Sequence, residues 1–358
     1  MKRFLLFAVL LVSLLVPISA QQQVEVSGVS VTCPNGLVIE NGVEMVINMR
    51  TGFSYTATAI GIGDFDPVIA VTDGSTVLCN DDSDDALNYG ANLPTTGVVE
   101  ANPFSASSPF SYSGDGFGDI SVIVGSFDNR AGEFVLFIEG LAVTNADGFG
   151  EGAGDPFTLN LTPNVHLSEV PLSAYMIAVT SALDPLMTVV DEDDTIIRLD
   201  DGSLFACDDA GSAGLCWGET ESLTGYGVAR GVRSDIGGFN RDAYMSIPSE
   251  LFGLGPDESG FITWRYTSFD QNTFGDYIAV FHLGTTATGM VEVEGGVQPP
   301  TENEPPAGSD ADIITDTSTL TESQPEQLYR FNGNAGDTVT ITMVAEDESA
   351  LDTRLFLY

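Results

Sequence analysis

Most of this chain alternates between apolar and polar positions in runs of about four to nine residues, the period of half-buried strands. Val339, Ile341 and Met343, interleaved with Thr338, Thr340 and Thr342, show the alternation most clearly. Phe134–Ile138, Met187–Val190 and Tyr277–Phe281 are more continuously apolar, which predicts central strands covered on both faces. Beyond the N-terminal apolar stretch, no long segment carries a helical period. The breaks between runs are filled by Asp, Asn, Ser and Pro and by many of the 39 glycines. Evenly spaced strands separated by turn residues predict an all-β chain of antiparallel, jelly-roll-like β-sandwiches.

The runs repeat. Tyr55–Ile62 leads into Phe65-Asp66-Pro67, Tyr175–Ala182 into Leu183-Asp184-Pro185, and Val339–Ala345 into Leu351-Asp352-Thr353. In the first two copies the next strand reaches a cysteine and acids, Cys79-Asn80-Asp81-Asp82 and Cys207-Asp208-Asp209. Both close alike, on Gly132-Glu133-Phe134 and Gly275-Asp276-Tyr277. A unit repeated in tandem predicts a modular protein. The expected organisation is a sandwich over residues 21–163, a second over 164–297, a Pro/Glu-rich spacer over 298–309, and a third, incomplete sandwich over 310–358. Half a sandwich leaves an open sheet edge, so the natural product is expected to be longer than this chain.

Lys2-Arg3, the apolar run Phe4–Val16 and a small residue at Ala20 have the form of a signal peptide over residues 1–20. The expectation is an exported protein, secreted or at the cell surface, with no membrane insertion after cleavage. Cys33, Cys79, Cys207 and Cys216 all follow the leader, and an even count in an exported chain reads as disulfides. Taking Cys79 and Cys207 as equivalent positions in two copies, each pairs within its own copy: Cys33–Cys79 and Cys207–Cys216. Cleavage removes two of the 11 basic residues and leaves nine arginines against 52 acids. That balance excludes an electrostatic grip on nucleic acid. It fits a solvating acidic coat, or acidic loops that gather divalent cations, calcium being the abundant extracellular candidate.

Tyr329-Arg330-Phe331, then Ala335-Gly336-Asp337-Thr338-Val339 and Leu351-Asp352, resembles the bacterial pre-peptidase C-terminal domain family. The Asp-Pro, Asn-Asp-Asp and closing Gly-x-aromatic segments of the first two copies are similar to it in diverged form. The resemblance implies β-sandwiches appended to secreted peptidases and other exported proteins. It implies a non-catalytic accessory or adhesion role on an extracellular polymer or protein surface. A part of a larger secreted hydrolase and a carbohydrate-binding module are the alternatives.

Chemistry concentrates in acidic loops. Asn80, Asp81 and Asp82 head a run of oxygen-bearing side chains, with Asp66 at the start of the preceding strand; Asp184, Asp208 and Asp209 are the counterparts. Calcium takes about six to eight oxygens, which flexible acidic loops supply. Turn capping by Asx side chains explains the same residues without an ion. An EF-hand is absent, since Ala91 stands at the twelfth place counted from Asn80. No Gly-x-Ser-x-Gly, His-Glu-x-x-His or P-loop motif occurs, and His166 and His282 read as boundary and strand residues. Trp217, Trp264 and Tyr226 are candidates for stacking on sugars, or else core and rim aromatics.

Overall fold

A computed structural model describes residues 22–293 apart from 27, 84–88, 101–103, 145–148, 151–153, 200, 212–214, 219, 231–233, 271–272 and 287–288. The chain divides into compact units over 1–299 and 300–358. The expected signal peptide, spacer and third sandwich lie outside the described residues, as do Asp84 and Asp85.

The described part is nearly all strand. It comprises β1 (Gln22–Val26), β2 (Val29–Thr32), β3 (Val38–Arg50), β4 (Ser54–Ile62), β5 (Pro67–Thr72), β6 (Val77–Asn80), β7 (Gly90–Leu93), β8 (Gly97–Glu100), β9 (Ala106–Ser111), β10 (Phe117–Ser126) and β11 (Gly132–Val143). Next come β12 (Asp155–Leu161), a short helix α1 (Pro163–His166), β13 (Leu172–Ala178), β14 (Pro185–Val190), β15 (Ala206–Cys207), β16 (Gly227–Arg230), β17 (Ser234–Gly237), β18 (Ala243–Ile247), β19 (Gly260–Ser268), β20 (Gly275–Thr285) and β21 (Gly289–Val293).

The strand orders are palindromes. One sheet runs β6-β5-β10-β3-β12-β19-β14-β15, the second β9-β4-β11-β20-β13-β18 and the third β8-β7-β16-β17. Replacing β3–β11 by β12–β20 in order turns each of these three strand orders into itself, as a pseudo-twofold axis through the antiparallel central pairs β3·β12, β11·β20 and β7·β16 requires; β2, which pairs β3, and the β1·β21 pair lie outside the repeat. Instead of two sandwiches in series, the two copies each supply half of every sheet. The second copy begins with β12, ahead of the boundary expected at 164. Sequence periodicity marks strands but not which edges they share. The inner edge strands of one copy find their hydrogen bonds in the other.

The first two sheets face each other across one apolar core. Near the axis Phe157, Trp264 and Tyr266 of the first sheet meet Phe281 of the second, with ring centroids 5.6–6.1 Å apart. Burying such a ring is worth about 1.5–3 kcal/mol. The third sheet covers the other face of the second, which is why β13 and β20 are buried almost throughout. Ala91, Leu93, Val99 and Val228 pack inward from this lid. Polar contacts fix it: Thr95 Oγ1 lies 2.5 Å from Tyr175 Oη and 3.1 Å from His282 Nδ1, and Tyr89 donates to Glu139 at 2.5 Å.

Both disulfides form as read from the sequence, Cys33–Cys79 and Cys207–Cys216. The two cysteines Cys79 and Cys207 are nonetheless not equivalent in the two copies. Cys79 lies opposite Ala70, whereas Cys207 lies opposite Met187, the counterpart of Ile69. Cys207 is therefore equivalent to Asn80, one residue on, and successive strand residues point to opposite faces. Cys207 enters the main core. Cys79 joins a small outer cluster of Ile39, Val68, Ala70 and Ile123 under β2. The first bridge thus clamps the β2 hairpin onto the outside of the sheet. We predict that Cys33→Ser with Cys79→Ser lowers unfolding free energy by ~4 kcal/mol, from the loop it closes. Urea melts of the two proteins measure it.

Candidate metal centres

In each copy three segments converge at one end of the first sheet: the residue before β5 or β14, the loop after β6 or β15, and the loop after β10 or β19. Antiparallel neighbours bring a strand's start beside its neighbours' ends, so these segments meet by topology alone. Asp66 joins Asp81 and Asp82, and Asp184 joins Asp208 and Asp209, each set offering carboxylate oxygens within 4.8 Å of one another. The matching is close. Phe127 N–H donates to the Asp66 carbonyl at 2.9 Å, and Phe269 N–H to that of Asp184 at 2.8 Å. Ser83 N–H bonds the Ser105 carbonyl as Ala210 N–H bonds that of Asp242, so Asp81 and Asp82 correspond to Asp208 and Asp209. Asn80, which precedes Asp81, accepts through its side-chain oxygen from Ser107 N–H at 3.1 Å.

A fourth acid lies near each cluster and escaped the sequence reading. Asp128 and Asp270 follow the same phenylalanines, in Ser126-Phe127-Asp128 and Ser268-Phe269-Asp270. The repeated Ser-Phe-Asp tripeptide was the available signal. Asp128 repels the charge of Asp66, and Asp270 that of Asp184. Burial works to raise Asp128, but hydrogen bonds from Ser126 and Arg130 hold its carboxyl below the usual range.

Crowding and burial make both clusters costly as bare carboxylates. Burial, then Asp81, Asp82 and Asp128, push Asp66 up to about 6. Burial, then Asp209 and Asp184, push Asp208 up to about 7, with Arg241 opposing. Oδ1 of Asp66 and Oδ1 of Asp208 are buried without a hydrogen-bond partner, although Asp208 is only 5% exposed. Buried acceptors of that kind are normally satisfied. A hard divalent cation would satisfy them and offset the mutual repulsion, carboxylate oxygens being the donors such an ion takes. The copies differ in one respect. Arg241 lies 3.4 Å from Asp184, a cation already beside the second cluster. Phe104 occupies the corresponding place in the first copy, by the Ser105–Asp242 equivalence.

The remaining candidates make contacts within the fold. Trp264 is fully buried, and Trp217 packs on Phe205 at 4.7 Å. Tyr226 donates to Glu221 at 3.1 Å. His166 is buried against the Glu258 carbonyl at 2.9 Å. His282 is held between Thr95 and Glu133 beneath the third sheet, and burial lowers its pKa.

No family model matches the chain, and none of the curated proteins does. Among solved structures, SGBP-B from a complex xyloglucan utilization locus in Bacteroides uniformis aligns over 77% of this chain and 92% of its own, at 10% identity and a TM-score of 0.21. A likeness that distant bears on neither fold nor function. No helix among the described residues is long and apolar enough to cross a membrane.

The acidic clusters set a pH dependence. In the metal-free protein Asp66, Asp208 and the buried Asp242, the last pushed up to about 7 by burial, bind protons more tightly folded than unfolded. Stability therefore falls as pH rises from about 4 to about 7, because the native state takes up more protons across that window. Asp73, lowered by hydrogen bonds from Thr76 and Ser75, and Asp201, lowered by Ser203, act oppositely at more acid pH, and His282, lowered by burial, opposes the trend below about pH 6.5. Melting of chelator-treated protein is expected to occur at higher temperature at pH 5 than at pH 7.5.

Proposed function

We propose that this protein is a non-catalytic, calcium-stabilised β-sandwich that works outside the cell as an accessory or adhesive surface on a polymer or protein. The observation that carries the proposal is the duplication of the acidic cluster. A solvating coat does not require two triads at matched positions, each with a buried carboxylate oxygen lacking a partner. Asp66, Asp81 and Asp82 hold one ion and Asp184, Asp208 and Asp209 the other, with Asp128 and Asp270 completing the charge around them. The ions tie strand ends together at opposite ends of the sheet, since β10 and β19 run in opposite directions.

Two further features support this reading. Two disulfides mark an oxidising compartment. Both histidines are engaged in contacts within the fold, His166 with the Glu258 carbonyl and His282 with Glu133 and Thr95. Membership of the pre-peptidase C-terminal family remains part of the proposal, resting on the motifs quoted above.

Saturating calcium at about a hundred times its dissociation constant adds about 2.7 kcal/mol per site. For a domain of this size that is a rise in Tm of roughly 5 °C per site. Chelator is expected to abolish the rise. Asp81→Ala with Asp82→Ala is expected to remove about half of it, the contribution of the first site, and Asp208→Ala with Asp209→Ala the other half. Melting curves that coincide with and without chelator would falsify the calcium sites.

A further inference from the structure

The central strands β3 and β12 pair over three residues only, from Met45↔Leu159 to Ile47↔Phe157, and splay apart on both sides. The pseudo-twofold axis makes the two gaps equivalent, yet they are finished differently. At one, α1 is seated: Asn164, fully buried, donates to the Asn41 carbonyl at 2.5 Å and to Thr285 Oγ1 at 3.1 Å, and His166 reaches Glu258 just before β19. Its twin, between the end of β3 and the start of β12, is filled by no described element and forms a cleft of about 210 Å³. Structural economy would close both gaps or neither.

The open cleft has a mixed lining. Phe53 and Phe117 stand at its mouth, 37% and 61% exposed, and Tyr55 lies buried within. Asn48 and Arg50 come from the β3 side, and Asp155 from the β12 side. Arg50 sits over the Phe53 ring at 5.4 Å, and no described carboxylate lies within ion-pair distance of it. That is notable in a chain with 52 acids. Asp155 Oδ2 accepts from Tyr277 at 2.6 Å, which holds the carboxyl facing the gap. Gly140 and Gly154, with φ of +88° and +83°, lie tight against the neighbouring Ser54 and Tyr266, where a Cβ would meet a backbone oxygen at 2.3 Å.

We propose that this cleft binds one residue of a neutral saccharide chain. The exposed Phe117 ring offers a face for the C–H side of a pyranose, while Arg50 donates to its hydroxyls and Asp155 accepts from them; the Asn48 amide is held by Asp119 at 2.8 Å. Other ligand classes fit less well. Polyanions are repelled by the field of a strongly acidic protein, and a cation would meet Arg50. A purely apolar ligand would leave the Arg50 and Asp155 groups unsatisfied. The proposal rests on the reading of the protein as an extracellular contact surface and names what it contacts.

The test is calorimetric titration of the intact protein, in calcium, with neutral oligosaccharides of the gluco, xylo, manno and galacto series. At least one is expected to bind in the millimolar range or tighter, with a 1:1 ratio. Phe117→Ala, on an exposed ring whose loss leaves the melting curve in place, is expected to weaken that binding about tenfold. Asp155→Asn tests the acceptor in the same way. No heat from any series at about 10 mM sugar, equal binding by Phe117→Ala, or binding only of extended peptides would each overturn the proposal. Chelator melts report on the acidic clusters and sugar titration on the cleft, so each reading fails on its own experiment.

Discussion

Everything distinctive in this fold depends on antiparallel pairing between like strands of the two copies. β11 meets β20 over most of its length, and β3 meets β12 briefly at the centre of the facing sheet. In either copy alone, β3 and β11 would each present a bare inner edge, with hydrogen-bonding groups unpaired and core side chains half covered. Pairing satisfies both needs at once and joins two half-sandwiches over a single core. The third sheet repeats the solution with β7 and β16.

That arrangement determines where charge collects. Each copy delivers its strand ends, and with them its aspartates, to one corner, and the pseudo-twofold axis sends the corners to opposite ends. Desolvation and mutual repulsion then raise the cost of every added carboxylate. The matched placement of Asp66 with Asp184, and of Asp81-Asp82 with Asp208-Asp209, keeps that cost in both copies. Divergence shows in what surrounds it: Arg241 beside one cluster, and a helix in one central gap where no described element fills the other.

Much of this was legible in the residues. Alternating runs foretold the strands, and continuous apolar stretches at Phe134–Ile138 and Tyr277–Phe281 foretold the strands buried on both faces. Repetition of Asp-Pro and of the acidic pair located both clusters, because loop acids next to strand ends are drawn together by antiparallel geometry. The one-residue offset between Cys79 and Cys207 was hidden, since register is set by pairing partners that a linear comparison does not see. Sharing of sheets was hidden for the same reason: free edges look alike whether they meet a neighbouring copy or solvent. The open cleft comes from two strands parting beyond Ile47 and Phe157, which leaves no mark on periodicity. Asp128 and Asp270 carried a visible signal, the repeated Ser-Phe-Asp, overshadowed by the denser acids elsewhere.

The most direct test of the shared-sheet architecture is to divide the chain between Val143 and Asp155, separating β11 from β12, and to record amide NMR spectra of each half and of their mixture. Neither half is expected to show the dispersed spectrum of a folded β protein alone, and the mixture is expected to recover it as a 1:1 complex. Two halves that each fold as stable monomers, with spectra unchanged on mixing, would contradict the account.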